Sequence, residues 1–393
     1  MAERLNITVV GCGVAGATVA LLLARDGHRV TLFEQSERVG PVGAGILLQP
    51  SGQRVLRDIG LLDQVIAGAE PIAEIYATTH RGRDLVRLRY GDLYDGCTGY
   101  GLHRGDLFTV LHGAMLAAGV QLRLNQPVAR YTQDREAISP INPSGRSLGP
   151  FDLLIAADGA KSRLRESSRI RRWIRPYGYG AVWAVGRHPG VHGQLRQVTR
   201  GTHRLCGLLP MGGGRCSLFW GLHEREWPTL QAGPFGAWRD EVVGLQAEAA
   251  PMFDGLSGFE QVKFVRYQHT SMSRWRDGRA VFIGDAGHSM SPHLGQGVNL
   301  ALADAQQLRI SIRRSECVQQ ALDYYGRTRR RHVLTYAAVT FGLTPFFQSA
   351  YPLLGMARDL GLPLLPKVRP VRRLMLRALS GELGRIQPRE LKP

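Results

Sequence analysis

Apolar positions along the chain fall into short solid runs separated by glycine turns. Ile7 to Val10 is a β-branched run, a glycine turn (Gly11 to Gly16) follows at once, and small and aliphatic residues then recur at helical spacing from Val14 to about Arg25. Asp26-Gly27 closes that helix, and Arg29 to Glu34 is a second apolar run ending in an acid. Two strands around one helix predict a βαβ unit. Phe151 to Gly159 reads as another buried strand, ending in Asp158-Gly159. Ala280 to Ile283 is a further strand, turned by Gly284-Asp285. A helix is predicted from Val298 to about Leu308, with Leu300, Ala301, Ala305 and Leu308 on one face.

Between about Ile170 and Ser273 the period changes. Short alternating runs (GAVWAVGR, QLRQVTRG, HRLCGLLP, RCSLFWGL) separated by glycine-rich turns predict a mostly antiparallel sheet, with a hairpin at Gly212 to Gly214. From Tyr324 onward, RTRRRH, TPFFQSAYPLLGMARDL and KVRPVRRLMLRALSGE admit two readings. One is a pair of helices packed over the substrate domain with arginines outward; the other is a basic amphipathic segment resting on a membrane surface and receiving a lipophilic substrate. Val333 to Ala357 is uncharged and long enough to span a bilayer, but Pro345, Gln348, Ser349 and Pro352 argue against a spanning helix.

Composition narrows this picture. A chain of 393 residues suggests about two domains. The formal charge of +18 raises nucleic acid or anionic membrane as partners, yet Lys161, Lys263, Lys367 and Lys392 are the only lysines. An excess that is nearly all arginine reads first as a solvated surface produced by codon bias, without a nucleic-acid footprint. Cys12, Cys97, Cys206, Cys216 and Cys317 are scattered and never spaced as CxxC, which supports neither a disulfide framework nor a metal site. The N-terminus runs straight into the first strand without a signal-peptide pattern, so the expected compartment is cytoplasmic.

The glycine turn carries chemistry. Gly11 suits the tight turn, Gly13 lets backbone approach a pyrophosphate, and Gly16 lets the helix pack on the strand. Glu34, 18 residues beyond Gly16, can accept hydrogen bonds from ribose hydroxyls and would repel a 2′-phosphate, which favours FAD or NAD over NADP. Asp158-Gly159 alone is compatible with an ordinary turn. In the late stretch, Asp285 sits at a strand end, and Gly295, Gly297 and Asn299 start a second helix. A structural turn with a helix cap would explain Asp285 and Gly297, but not the whole Pro-x-x-Gly-Gln-Gly-x-Asn series. The expectation is that both glycine loops grip one long dinucleotide, FAD, from opposite ends.

GCGVAG with Glu34, LHRGDL containing Arg104, AADGAKSRLR, and IGDAGHSMSPHLGQGVNLALADA together resemble the signatures of the single-component (class A) FAD-dependent aromatic hydroxylases, the para-hydroxybenzoate hydroxylase-like family. The resemblance runs from Ile7 to at least Tyr325, with Gly287 a small departure where many relatives carry alanine. It implies an α/β fold: a Rossmann-like FAD-binding domain from segments 1–75, 98–170 and 274–325, an interleaved mostly antiparallel β-sheet substrate domain from 76–97 and 171–273, and a helical C-terminal segment, 326–393. The Gly11 to Gly16 loop (Gly11, Gly13, Ala15, Gly16) and Glu34 would hold the ADP half. Arg104 would meet the phosphate and ribityl region and Asp285 the ribityl chain, with Gln35, Ala44, Val128 and Gly284 as further cofactor-binding residues. Pro292, Gly295, Gly297, Val298 and Asn299 would line the isoalloxazine, with the Pro292 backbone the tentative catalytic element. Asp158 would support both FAD and the pyridine nucleotide, and Val42 to Pro50 would be a mobile loop beside the ring.

The antiparallel sheet would roof the flavin, with Trp183, Cys206, Leu208 and Trp220, and Leu48 from the loop, as pocket candidates. His203 and His223 are candidate bases. The implied reaction is NAD(P)H- and O2-dependent hydroxylation of a lipophilic aromatic, quinone- or quinolone-like molecule through a flavin C4a-hydroperoxide. Whether NADH or NADPH is the donor, the substrate's identity and the oligomeric state stay open. Two rivals stand beside this reading. One is a flavin dehydrogenase or reductase on the same scaffold; the other is a non-catalytic basic protein binding membrane or nucleic acid.

Overall fold

The first βαβ unit forms as its pattern predicts. In the computed structural model, which describes residues 4–40 and 43–384, strand Asn6–Val10 leads through the glycine turn into helix Val14–Arg25 and back along strand Arg29–Phe33. Val42, the start of the expected mobile loop, and Lys392 lie outside the described residues. Asn6–Val10 pairs in parallel with Arg29–Phe33 on one side and Leu153–Ala156 on the other, and Leu153–Ala156 pairs in parallel with Ala280–Phe282. Gln121–Arg123 and Arg276–Asp277 close the edges of this six-stranded sheet. Its strands read as unbroken apolar runs because both faces are covered: Ile7, Val9, Leu32, Leu153, Leu154, Ile155 and Phe282 are all buried.

One consequence of the register decides the geometry of the site. Val10, Ala156 and Phe282 are the last residues of three adjacent parallel strands, with Val10 opposite Ala156 and Ala156 opposite Phe282. The turns that follow, at Gly11, Asp158 and Gly284-Asp285, therefore emerge side by side at the carboxyl edge of one sheet.

The second sheet has seven strands in the order Lys263–Met272, Arg172–Arg187, Arg215–His223, Arg204–Pro210, Gln194–Arg200, Glu74–Thr79, Asp84–Arg89. Its pairings are antiparallel except Gln194–Arg200 with Glu74–Thr79. Gly212, Gly213 and Gly214 all have positive φ and make the hairpin between Arg204–Pro210 and Arg215–His223. Residues 227–256 add helices Trp227–Ala232 and Phe235–Leu245 and a 3-10 segment, Ala247–Gly255. Sequence patterning had assigned this stretch to strands. Its Trp238, Val242, Leu245, Met252 and Phe253 pack as a separate core against one face of the sheet.

The residues expected to form a mobile loop are instead a strand. Gly45–Leu48 pairs antiparallel with Gly99–His103, and Gly45 N donates to Ser217 Oγ at 3.0 Å. Satisfied backbone on one edge and a side-chain anchor to the second sheet hold it in place.

The chain ends in helices Gly297–Arg313, Val318–Phe347, Pro352–Gly361 and Arg369–Leu379. Val333 to Ala357 is thus divided between two helices, and no helix among the described residues is long and apolar enough to cross a membrane.

Candidate functional site

The glycines of the first turn separate cleanly by what surrounds them. A Cβ on Gly11, whose φ is +101°, would lie 2.5 Å from Ala157 O, and one on Gly16 would lie 1.9 Å from Gly11 O. Both positions are closed by packing. A Cβ on Gly13 would meet nothing within 4 Å, so this glycine borders open space at the start of helix Val14–Arg25. No side chain caps that helix, which leaves its first N–H groups facing the same space. Glu34 Oε2 accepts from Cys12 N at 2.7 Å and Oε1 from Ser36 N at 3.0 Å, which fixes the carboxylate at the rim of the turn. Burial and the neighbouring Glu34 push the Cys12 thiol up to about 12, so it stays neutral.

The second loop lies against the first. A Cβ on Gly284 would stand 3.1 Å from Ala15 Cβ, so the Gly284-Asp285 turn packs on the opening helix. Arg165, from the AADGAKSRLR stretch, locks the arrangement: it is 1% exposed and donates from Nη1 to Ala286 O at 2.9 Å and from Nη2 to Ala160 O at 2.6 Å. Asp285 reaches solvent, yet enough protein surrounds it that burial pushes its pKa up, against the pull of His288 and Arg104. That combination describes a carboxylate in a cleft. Arg104 also borders the segment before strand Gly45–Leu48: its N donates to Ala44 O at 3.1 Å, and a Cβ on Gly43 would touch its side chain at 3.1 Å.

Gly295 adopts a left-handed φ of +61°, and helix Gly297–Arg313 starts beyond it without a side-chain cap. A Cβ on Gly297 would meet nothing within 4 Å. Beside Gly295 lies Gln49, which is fully buried: its Oε1 accepts from Tyr90 OH at 2.6 Å, and its Nε2 has no partner among the described residues and would sit 4.0 Å from a Gly295 Cβ. Asp158 has a second orphan, Oδ1, while its Oδ2 accepts from Leu164 N at 3.3 Å; burial pushes this carboxyl up. Two buried polar atoms without partners among the described residues, one at the Asp158 turn on the sheet edge and one on Gln49 beside Gly295, are what an extended polar cofactor would satisfy. Open space at Gly13 and Gly297 and uncapped N–H groups at both helix starts fit a dinucleotide's phosphates and its electron-rich ring.

Several expected residues take other roles. The Asn299 amide is consumed internally, with Oδ1 accepting from Gln49 N at 2.9 Å and Nδ2 donating to Leu47 O and Gly295 O. It ties strand Gly45–Leu48 to the second loop, leaving only its backbone for a ligand. Val128 is buried in the main core, while the chain just before it hydrogen-bonds onto Ser36 O and Glu34 O, so that segment borders the first turn. Gln35 is exposed beside Glu34. Pro292 and Val298 flank Gly295 and Gly297 and are half-buried.

The pocket candidates split between the two faces of the second sheet. Cys206, Leu208 and Trp220 point outward into the core made with Trp238, Val242 and Met252, and do not face the first sheet. Alternation along the strands marks these residues as inward-facing, and the helical cover over 227–256 turns that face away from the first sheet. Leu48 is likewise a core residue, fully buried with Leu102 and Leu107. Its neighbour Leu47 is the one that approaches Gly295, with Cβ 3.9 Å from where a Gly295 Cβ would be. Trp183 is on the inner face, with Phe219 at 5.4 Å between ring centroids and Tyr267 close enough to be influenced by its ring N–H. Ser217, two residues before Phe219 on the same face, is the anchor of Gly45 N, which orients this face toward the second loop. Neither candidate base holds: His203 is exposed, and His223 Nδ1 accepts from Arg225 N at 3.2 Å as a helix cap.

Sequence reasoning passed over His293, although it lies inside the quoted stretch. Its Nδ1 is 2.9 Å from Ser291 Oγ, its Nε2 is buried without a partner among the described residues, and burial pushes its pKa down to about 4.

With this geometry in hand, the comparisons are specific. The FAD binding domain family matches residues 4–339. The chain is 30% identical to 6-hydroxynicotinate 3-monooxygenase of Bordetella bronchiseptica over 78% of its length and 82% of the relative's. It is 29% identical to 2-heptyl-3-hydroxy-4(1H)-quinolone synthase of Mycobacteroides abscessus, covering 82% of this chain and 85% of the relative. In fold it is similar to Klebsiella pneumoniae HpxO, solved with FAD and uric acid, with a TM-score of 0.81 and 20% identity over 96% of this chain and 97% of that one.

Proposed function

We propose, from the premise that the chain belongs to the FAD binding domain family of flavoprotein aromatic monooxygenases, that it uses NAD(P)H and O2 to hydroxylate a lipophilic, electron-rich aromatic ring. The observation that carries this reading is the convergence of the Gly11, Asp158 and Gly284-Asp285 turns at one sheet edge, with Gly284 packed on Ala15 and the 292–299 loop continuing toward the inner face of the second sheet.

FAD, when bound, supplies the acceptance of a hydride from NAD(P)H and the transfer of one atom of O2 to the ring. The chain's own groups do the rest. N–H groups after Gly13 take the pyrophosphate and Glu34 the ribose hydroxyls, with Gln35 and the Val128 backbone bordering the adenine end. Arg104 meets the phosphates and Asp285 the ribityl hydroxyls. The uncapped N–H groups at Gly297 and Val298 and the Gln49 Nε2–H present positive dipoles to the electron-rich edge of the ring system, where charge develops. Segments 1–75, 98–170 and 274–325 would thus hold the cofactor, while 76–97 and 171–273 roof it.

Trp183, Phe219 and Tyr267 form the aromatic wall against which the substrate ring lies, with Leu47 closing the side near Gly295. This wall excludes water and suits a flat apolar ring; the relatives named for a hydroxynicotinate and an alkylquinolone share the flat aromatic ring, and the heptylquinolone name supports the lipophilic side of the reading. The test is direct. Purified full-length protein should be yellow, bleach anaerobically with NADH or NADPH, and take up O2 only when both the nicotinamide and an aromatic ligand are present. Turnover that proceeds without O2 would assign a dehydrogenase instead.

A further inference from the structure

Among the described residues fifteen large apolar side chains are notably exposed, and eight of them fall between Tyr351 and Leu374. Leu353, Met356 and Leu360, at 76%, 60% and 61% exposure, share one face of helix Pro352–Gly361 by their spacing. Leu364, Leu365 and Val368 continue the exposed series into helix Arg369–Leu379, where Leu374 is 54% exposed. The opposite side of these helices is packed: Gly355 lies against Thr202, Arg358 is buried, and Leu376 is 1% exposed. The segment therefore rests on the protein and still turns an apolar face outward.

A second observation lies on the same segment. Arg369, Arg373 and Arg377, spaced one helical turn apart, line a groove of about 760 Å³ together with Leu93, Tyr94, Pro370, Leu374 and Glu382. Glu382 is already paired with Arg54, and Arg372 is held by Asp92, but no ion-pair partner of these three arginines is found among the described residues. The only acid between Tyr351 and Leu379 is Asp359, which is paired with Arg358.

We propose that this face docks on an anionic bilayer. Leu353, Met356, Leu360, Leu364 and Val368 enter the boundary between headgroups and acyl chains, and lipid phosphates sit in the groove of Arg369, Arg373 and Arg377. Charge chooses this occupant over a second copy of the chain, which carries +18 and would set its own arginines against these. The docking helix also reaches the candidate site: Leu379 O accepts from Gln296 Nε2 at 2.7 Å, and Ser380 O from Ser51 N at 3.0 Å. A lipophilic substrate dissolved in the bilayer would thus be delivered beside the second glycine loop, a consequence that rests on the function proposed above.

The test uses full-length protein and vesicles of phosphatidylcholine with or without phosphatidylglycerol, followed by sedimentation. Binding is expected to the anionic vesicles only and to weaken as salt rises. Leu353→Ser/Met356→Ser/Leu360→Ser and Arg369→Gln/Arg373→Gln/Arg377→Gln should each reduce it at least tenfold, with melting temperature and flavin content unchanged. Equal sedimentation with both vesicle types, or variants that bind like the parent, would overturn the proposal. So would a dimer in light scattering that the serine variant dissolves, because the face would then be an interface between copies. Colourless protein that still bound anionic vesicles would remove the oxygenase reading and leave the docking intact.

Discussion

Gly284 N donates to Asp304 Oδ2 at 2.8 Å, which ties the turn after strand Ala280–Phe282 to the middle of the helix that begins at the second glycine loop. The same carboxylate is 2.6 Å from His288 Nε2 and 2.7 Å from Arg329 Nε, all of it buried. Burial alone would raise this carboxyl, but His288 and Arg329 hold it well below the ordinary carboxylate range. Replacing Asp304 by Asn leaves Arg329 buried without its counter-charge, a change that costs about 3–5 kcal/mol in comparable sites. The expected outcome is a large fall in melting temperature and loss of flavin, because the Gly284-Asp285 turn loses its anchor. Melting curves and flavin content of Asp304→Asn check both. The sign with pH follows from the lowered value: the stabilisation is present above the unfolded carboxyl's pKa of about 4 and is lost as pH falls below it.

Gly13 and Gly16 should fail in different ways. A side chain at Gly13 projects into open space and leaves the fold alone, whereas one at Gly16 drives into Gly11 O. Gly13→Val is expected to keep its melting temperature as apoprotein and weaken FAD binding at least tenfold, measured by flavin titration. Gly16→Val is expected to unfold, or to melt many degrees lower, with or without FAD. Normal FAD affinity in Gly13→Val would displace the pyrophosphate from this turn.

What the sequence reveals and hides follows a physical division. Glycine turns, strand runs and the acid at Glu34 are local, so their pattern predicts Asn6–Val10, Val14–Arg25 and Arg29–Phe33 almost to the residue. Period-2 alternation identifies Trp183 and Trp220 as strand residues but cannot say which face is inward, since that depends on the distant helix Phe235–Leu245. Gly45–Leu48 is expected as a loop only through the family resemblance, and its strand pairing is not locally legible because the partner strand is more than 50 residues away. Asp304, Arg165 and Gln49 act through tertiary contacts that no local spacing encodes. Asn299 shows the converse: its position in the motif was legible, but its side chain bonds Gln49 N rather than facing a ligand.

The two faces of the second sheet can be told apart by mutation. Trp183→Ala and Phe219→Ala remove the inner wall and are expected to raise KM for the aromatic substrate roughly tenfold, in line with about 1–2 kcal/mol of lost ring contact. Neither should lower the melting temperature much. Trp220→Ala, on the outer face against the helical cover, should cost about 3–5 kcal/mol of stability and leave KM nearly unchanged. Reversal of this pattern, with Trp220 controlling KM, would place the substrate on the other side of the sheet.

His293 gives the last prediction, and its sign comes from burial. The folded ring binds a proton only near pH 4, whereas in the unfolded chain it does so near 6.5. Between those values the unfolded state takes up a proton that the folded state refuses, so stability falls as pH drops from about 6.5 to about 4. His28 and His269 are shifted in the same direction by burial, and His203 by partial desolvation together with the charge of Arg204, while exposed His192 is shifted upward by its bonds to Pro189 O and Glu70 and opposes them. The contribution of His293 must therefore be read as a difference. His293→Gln should flatten the decline in melting temperature between pH 6.5 and 4 by the equivalent of about 1–3 kcal/mol, and match the parent near pH 8 apart from a constant offset. Because Ser291 Oγ occupies Nδ1, a ring kept neutral through the working pH range leaves Nε2 as the atom free to bond a ligand. Parallel pH profiles for parent and variant would show that the ring takes up its proton equally in both states, and would remove it from the neutral role assigned here.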